Sequence, residues 1–203
     1  MRDDLELFLE IEKHLLEDGT PSIYLGERLR TGDFDKKPFD VFHKMSKTMQ
    51  SPKFHPEGDV FTHTMMVADQ AARVRDNSGE PRALMWAALL HDMGKPATAA
   101  VKNGRHTAYN HDRVGAGMAH RFIMSFTDDR ALADKVSALV RYHMQILFVI
   151  KSMPYARTSR MKQEVDFREI ALLGYCDRMG RGNADERLER ENIRIFIEKL
   201  ENL

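Results

Sequence analysis

The sequence has very little cysteine: Cys176 is the only one in 203 residues. That excludes an internal disulfide framework and any Cys-x-x-Cys metal site, and it fits a reducing cytosol. Net charge is also absent, because Lys plus Arg and Asp plus Glu each number 31. A bulk-basic nucleic-acid coat and an acidic tail protein are thereby disfavoured, while a local basic patch stays open. No apolar run approaches the ~20 residues of a membrane span, and the acidic start MRDDLELFLE lacks a signal-peptide layout. No long repeat and no low-complexity tract stands out. What is present is an apolar fraction of 42%, ample for one core with a small appendage. The expectation is a cytoplasmic globular protein, with no membrane association and no evident obligate protein partner.

Nearly every segment carries a helical period and none alternates as a strand does, so the fold class read from the pattern is all-α. Helices are expected over Asp4–Glu17, Val60–Asp76, Pro81–His91, His111–Phe126, Asp128–Ile150 and Asp166–Arg178, with a polar helix over Asn183–Asn202. Residues 20–50 read as short helices broken at Gly32 and Pro38, and Ser51–Asp59, with two prolines and a glycine, as loop. Lys95–Asn110 and Lys151–Val165 read as loops long enough to wall a site.

Four apolar stripes each contain an ionisable residue. Val60, His63, Val67, Ala71 and Val74 share one helical face, and Leu84, Ala87, Ala88 and His91 share another. Val136, Leu139, Val140, His143 and Leu147 form a third, and Ile170, Leu173 and Asp177 a fourth. A single histidine in such a place is usually a satisfied core residue. A core-facing carboxylate is harder to explain, since burying it costs several kcal/mol unless it is paired or binds metal. Three histidines and an aspartate converging from four helices, with Asp92 directly after His91, point to a divalent-metal site of imidazole and carboxylate ligands. A His-Asp pair alone says little, and His111-Asp112 is a second one. The ordered set carries the information.

That order, His63, then His91-Asp92, then Asp177, resembles the HD superfamily of metal-dependent phosphohydrolases. The runs HPEGDVFTHTMMVADQAARV (His55 to Val74), ALLHDMGKPAT (Ala88 to Thr98), YNHDRVGAGMAHRF (Tyr109 to Phe122) and YCDRMGRG (Tyr175 to Gly182) are more specific. They are similar to the HD domain of bacterial tRNA nucleotidyltransferases (CCA-adding enzymes) and their poly(A)-polymerase-like relatives. The resemblance covers residues 50–182 and implies an HD-domain helical bundle. Its nucleotidyltransferase head has no counterpart in residues 1–50, which are too short and too helical. The division expected is a helical appendage at 1–50, an HD phosphohydrolase core at 51–182, and a C-terminal helix at 183–203.

By resemblance, His63, His91, Asp92 and Asp177 would ligate a first ion. His111 and His143 would either complete a second ion bridged by Asp92 or contact substrate. One or two divalent cations are implied, with Mn, Fe, Co, Ni, Zn and Mg all open. Asp92 would accept a proton from attacking water, and Lys95 would either neutralise a phosphate oxygen or offset a helix end in solvent. Arg178, Arg181 and His106 are candidate substrate contacts, with a surface role as the alternative for the arginines. Lys151, Arg157, Arg160 and Lys162 read either as a track for RNA or as a solvated charge run. His55 and Glu57 would shape the pocket mouth. Cys176 has no base partner to make it a nucleophile. The P-loop, dinucleotide, HExxH and GxSxG signatures are absent. The expected activity is metal-dependent hydrolysis of a phosphorylated small molecule or an RNA end, such as a 2′,3′-cyclic phosphate. A non-catalytic RNA- or nucleotide-binding module with a structural metal is the rival.

Overall fold

A computed structural model describes residues 2–203 and shows the helical bundle that the periodicity predicts. Its helices are α1 (Arg2–Glu17), α2 (Ser22–Thr31), α3 (Asp40–Ser46), α4 (Val60–Val74), α5 (Pro81–Leu90), α6 (Lys95–Thr98), α7 (His111–Met124), α8 (Arg130–Tyr142), α9 (Gln145–Ile150), α10 (Thr158–Glu164), α11 (Phe167–Met179) and α12 (Glu186–Glu201). Aspartate caps account for several of the starts: Asp59, Asp129, Asp166 and Asp185 accept from the backbone N–H of Thr62, Leu132, Arg168 and Leu188 at 2.9–3.1 Å.

The bundle is built around α5, where every residue from Ala83 to Leu90 is buried. A helix apolar on all sides must be surrounded, and α1, α4, α7, α8 and α11 pack around this one. From α1, Phe8, Ile11 and Leu15 enter the core at helical spacing. Phe8 stacks between Trp86 and Phe126, at centroid distances of 4.6 and 4.7 Å. Beside it, Glu12 accepts from Trp86 Nε1 at 2.7 Å and from Arg82 at 2.9 and 3.1 Å. Phe34, Phe39, Phe42 and Met45 join the same buried cluster, so the first fifty residues share one core with the elements that carry the site.

The structure departs from the sequence expectation in three places. The helix expected over Asp128–Ile150 breaks after Tyr142 into α8 and α9, and at the break the His143 ring donates to the Val140 carbonyl. Lys95–Asn110 is not plain loop: it holds α6 and a hairpin, β1 (Ala100–Lys102) with β2 (Arg105–Thr107), the only sheet among the described residues. Asn103 and Gly104 form its turn, both at positive φ (50° and 71°). Asn-Gly is the strongest short hairpin signal a sequence offers, and here it decides against loop. Lys151–Val165 likewise contains α10. Among the described residues no helix is long and apolar enough to cross a membrane.

Two glycine contacts set the geometry below. A Cβ on Gly94 would lie 2.2 Å from the carbonyl oxygen of His111 and 2.7 Å from the nitrogen of Gly115. Only glycine lets the start of α7 seat directly on the turn that follows α5. Just past the end of α11, Gly180 also packs tightly on the Val67 backbone, with a Cβ falling 2.9 Å from its nitrogen. That contact brings α11 against α4.

Candidate metal and phosphate site

Packing places His63 on α4, His91 and Asp92 at the end of α5, His111 at the start of α7, His143 at the end of α8 and Asp177 on α11. All six are buried; the polar atoms of the four histidines and Asp92 fall into donor groups that share Asp92, and Asp177 stands beside them against His63 without belonging to either group. His63 Nε2 lies 3.0 Å from Asp177 Oδ1 and 4.0 Å from Asp92 Oδ2, and His91 Nε2 lies 3.2 Å from the same Asp92 oxygen. The other oxygen, Asp92 Oδ1, lies 3.4 Å from His111 Nε2 and 3.8 Å from His143 Nε2. The two imidazole nitrogens face each other at 3.1 Å. Asp92 therefore belongs to two donor groups, His63/His91/Asp92 and Asp92/His111/His143, and within each group the ligand atoms lie within 4.8 Å of one another.

The histidines are oriented from behind. His91, His111 and His143 each donate from Nδ1 to the carbonyl three residues earlier: Ala88 at 2.9 Å, Ala108 at 2.7 Å and Val140 at 2.7 Å. This fixes the proton on Nδ1 and turns the Nε2 lone pair inward. His63 is held by Glu57, whose Oε1 lies 2.8 Å from Nδ1. The same oxygen lies 2.9 Å from His55 Nδ1, and Glu57 Oε2 accepts from the backbone N–H of Gly182 at 3.2 Å.

The electrostatics follow from burial and neighbours. Burial pushes the pKa of His143 down to about 4, with the nearby His111 adding to it, and burial lowers His111 as well. Both rings are thus neutral at physiological pH and present lone pairs. Burial opposes ionisation of Asp92, yet the charges of Lys95 and His91 outweigh it and hold the carboxyl well below the usual carboxylate range. Asp177 is held low against burial by Arg181 and His63. Burial also works against a charged His63, but Asp177 and Glu57 prevail and raise it to about 9, so ligation of a cation through Nε2 displaces the proton held there.

These residues fit divalent cations on the chemistry of the donors. His91 Nε2 and Asp92 Oδ1 are buried and make no hydrogen bond, which is costly for polar atoms in a core. His111 and His143 bring two lone pairs to 3.1 Å, a repulsive contact that a cation between them and Asp92 relieves. An all-nitrogen-and-oxygen donor set suits several divalent ions.

A cavity of about 410 Å³ opens onto Asp92, His111, His143 and Asp177, and Lys95, His106, Arg178 and Arg181 line it with them, while His63 and His91 are not part of its lining. Lys95 Nζ is clamped between Asp92 Oδ2 and Gln50 Oε1, each at 2.6 Å. Arg181 lies 3.6 Å from Asp177 and has a buried Nε without a partner. Arg178 reaches the cavity wall, but its Nη1 donates to both carboxylate oxygens of Glu189 on α12, at 2.9 and 3.2 Å. His106 stands exposed on β2 at the rim. The Cys176 thiol is buried, and burial, with Asp177 beside it, pushes its pKa up to about 12. Such a thiol is no nucleophile.

Gln50 has no signal in the sequence, since an uncharged residue before a loop matches no motif. It is nonetheless buried, bonded through Nε2 to the Asp59 carbonyl at 3.2 Å and through Oε1 to Lys95. Glu57 lies deeper than a pocket mouth, with a side chain 3% exposed.

Residues 60–166 match the family model described as HD domain. A "Multifunctional CCA protein" of Pasteurella multocida (strain Pm70) is 30% identical over 182 residues, covering 86% of this chain and 42% of that protein. Its namesake in Halorhodospira halophila (strain DSM 244 / SL1) is 43% identical over 95 residues, 47% of this chain and 21% of that protein. A third, from Methylococcus capsulatus, is 33% identical over 137 residues, 68% of this chain and 30% of that protein. The chain thus spans less than half the length of these relatives.

Proposed function

The chain belongs to the HD domain family, and we propose that it is a metal-dependent phosphohydrolase acting on a nucleotide or an RNA-terminal phosphate, with a 2′,3′-cyclic phosphate as the first substrate to try. The observation that carries this reading is the division of labour at Asp92, whose Oδ2 serves His63 and His91 while Oδ1 faces His111 and His143. A single buried carboxylate shared by two donor groups suits two ions held side by side. A structural metal in a binding module needs one closed set of ligands.

In this reading His63, His91, Asp92 and Asp177 hold one ion, and Asp92, His111 and His143 hold a second. Bound divalent ions would lower the pKa of water toward about 7 and clamp the attacking and leaving oxygens of a phosphoester. Lys95 Nζ, fixed by Gln50 beside Asp92, neutralises a phosphate oxygen. Arg181, which lines the cavity 3.6 Å from Asp177, offers its guanidinium to a second oxygen. Asp92 accepts the proton of the attacking water and, with its carboxyl held low by Lys95 and the histidines, hands it on to solvent. Arg178, paired with Glu189, reaches substrate only by giving up that partner, so it is the weaker of the two arginine contacts.

The relatives are named for CCA, a nucleotide sequence, and this favours an RNA end as substrate. The test is elemental analysis of the purified chain, followed by assays on bis-p-nitrophenyl phosphate and 2′,3′-cyclic AMP with each divalent metal added back. Transition metal with metal-dependent turnover is expected. Metal bound without turnover on any phosphoester would overturn the hydrolase and leave the binding module.

A further inference from the structure

A second cleft, of about 460 Å³, lies on the other side of the α7–α8 pair. Arg113 from α7, Arg141 from α8, and Arg157 and Arg160 at the start of α10 all line it. Arg113 is two residues after His111 and Arg141 two before His143. The same helix ends thus present ligands to the metal site and guanidinium groups to the cleft. Its two carboxylates are already committed. Asp134 pairs with His120 at 3.1 Å and Arg130 at 3.8 Å, and Glu164 accepts from Arg160 and from the Tyr142 hydroxyl, each at 2.7 Å. Arg141 pairs with Asp112. Arg113 and Arg157 have no carboxylate partner among the described residues, so the cleft keeps uncompensated positive charge.

One short stretch of chain runs from the cavity described above to this cleft. Lys151 lines that cavity and Arg157 lines this cleft, and the six residues from one to the other reach at most about 20 Å. The strip is anchored at both ends: Lys199 Nζ donates to the Val149 carbonyl at 3.1 Å and to Ser152 Oγ at 3.2 Å, and the Arg157 backbone N–H donates to Gln145 Oε1 at 2.7 Å. Midway, Tyr155 is 61% exposed and braced edge-on by Phe148 at 5.7 Å. Guanidinium groups, an exposed aromatic ring and a lysine in sequence match what a single strand requires, which is charge for phosphates and a ring for a base.

We propose that this cleft binds the backbone of a single-stranded polynucleotide whose end lies in the metal-site cavity. The proposal rests on reading that cavity as a phosphoester site, and it makes the preferred substrate a polymer rather than a mononucleotide.

The test is binding, so it does not depend on turnover. Fluorescence anisotropy with a labelled RNA of about twelve nucleotides is recorded across salt concentrations. The chain is compared with the pair Arg113→Glu/Arg157→Glu, with the milder Arg113→Gln/Arg157→Gln, and with a control pair of equal charge change on α12, Arg187→Glu/Arg194→Glu. Losing two phosphate contacts should flatten the slope of log K against log salt by about 1.4 and weaken binding at least about tenfold in the Glu pair, less in the Gln pair. The control pair should stay within about twofold. Equal losses in the control pair, no loss in either cleft pair, or no RNA binding by the unaltered chain would each overturn the proposal. So would displacement of the RNA by inorganic tripolyphosphate at equal phosphate concentration, which would assign the cleft to free polyphosphate. If the hydrolase reading fails, that shows separately, as absent turnover of bis-p-nitrophenyl phosphate with RNA binding intact.

Discussion

Replacing Gly94 with alanine places one methyl group where the structure has no room for it. The new Cβ would lie 2.2 Å from the His111 carbonyl oxygen and 2.7 Å from the Gly115 nitrogen, both backbone atoms. Ordinary contact begins near 3.4 Å, so the start of α7 must retreat by about 1.2 Å. Overpacking of this kind costs about 1–3 kcal/mol, which for a chain of this size lowers Tm by about 2–12 °C. The larger effect falls on the site, because His111 travels with its backbone. Its Nε2 stands 3.1 Å from His143 and 3.4 Å from Asp92, and metal ligands tolerate only about 0.2 Å. The Asp92/His111/His143 group should therefore lose its ion while His63 and His91 keep theirs, and turnover should fall about 100-fold. Thermal melting and elemental analysis of Gly94→Ala check this against Gly26→Ala. The latter adds a methyl in a helix with nothing within 4 Å and should be neutral or stabilising by up to about 1 kcal/mol. If Gly94→Ala melts with the parent and carries the same metal, the close approach of α5 and α7 does not position the site.

Three further outcomes follow from contacts already described. Asp92→Ala removes the one carboxylate shared by both donor groups, so elemental analysis should find both ions gone while circular dichroism keeps the helical signal; retained metal would refute the ligand assignment. Gln50→Leu frees Lys95 Nζ from one of its two partners without touching a proposed ligand. Metal content should hold and KM should rise several-fold, and unchanged kinetics would make Gln50 a loop residue only. Phe8→Ala empties a site that is 1% exposed between Trp86 and Phe126 and should cost about 3–5 kcal/mol. A urea midpoint close to the parent's would show that α1 is not integral to the core.

His63, His91, His143 and Asp177 were legible in the sequence because each interrupts an apolar stripe at helical spacing, and burial of an ionisable group leaves that mark. The all-α fold was legible for the same reason. His111 sits at a helix start, where no stripe surrounds it, and only the resemblance to known HD domains pointed to it. The break at His143 was hidden because the apolar period runs on from Val140 to Leu147 through the interruption. The end of α8 is marked by a ring-to-carbonyl bond, which has no periodic signature. The pairing of Arg178 with Glu189 joins residues on different helices, beyond the reach of any local pattern. Gln50 reaches the site through tertiary packing in the same way.

One difference among the four histidines explains why a loop residue matters. His91 and His143 follow the last residues of α5 and α8, where carbonyls lack helical partners and can receive Nδ1–H. His63 lies inside α4, where the carbonyls behind it are taken by the helix itself. Its Nδ1 has no aligned hydrogen-bond acceptor, and the Pro- and Gly-containing turn before α4 instead brings the Glu57 carboxylate to 2.8 Å as an ion-pair partner. Glu57 is in turn fixed by the Gly182 N–H, so both flanks of the motif region hold one imidazole. Glu57→Ala should therefore loosen only the His63 side. Loss of such an orienting carboxylate typically weakens metal binding by about 10–100-fold, and calorimetric titration should show one of two ion affinities falling by that factor while the Asp92/His111/His143 affinity is unmoved. Because Glu57 is itself nearly buried and ionised, its pKa depressed to about 2 against burial by the bonds from His63, Glu57→Gln keeps an acceptor in place and should recover part of the loss. Equal weakening of both ions, or of neither, would refute the reasoning: the first makes Glu57 a general structural prop, and the second shows that His63 is held by Asp177 alone.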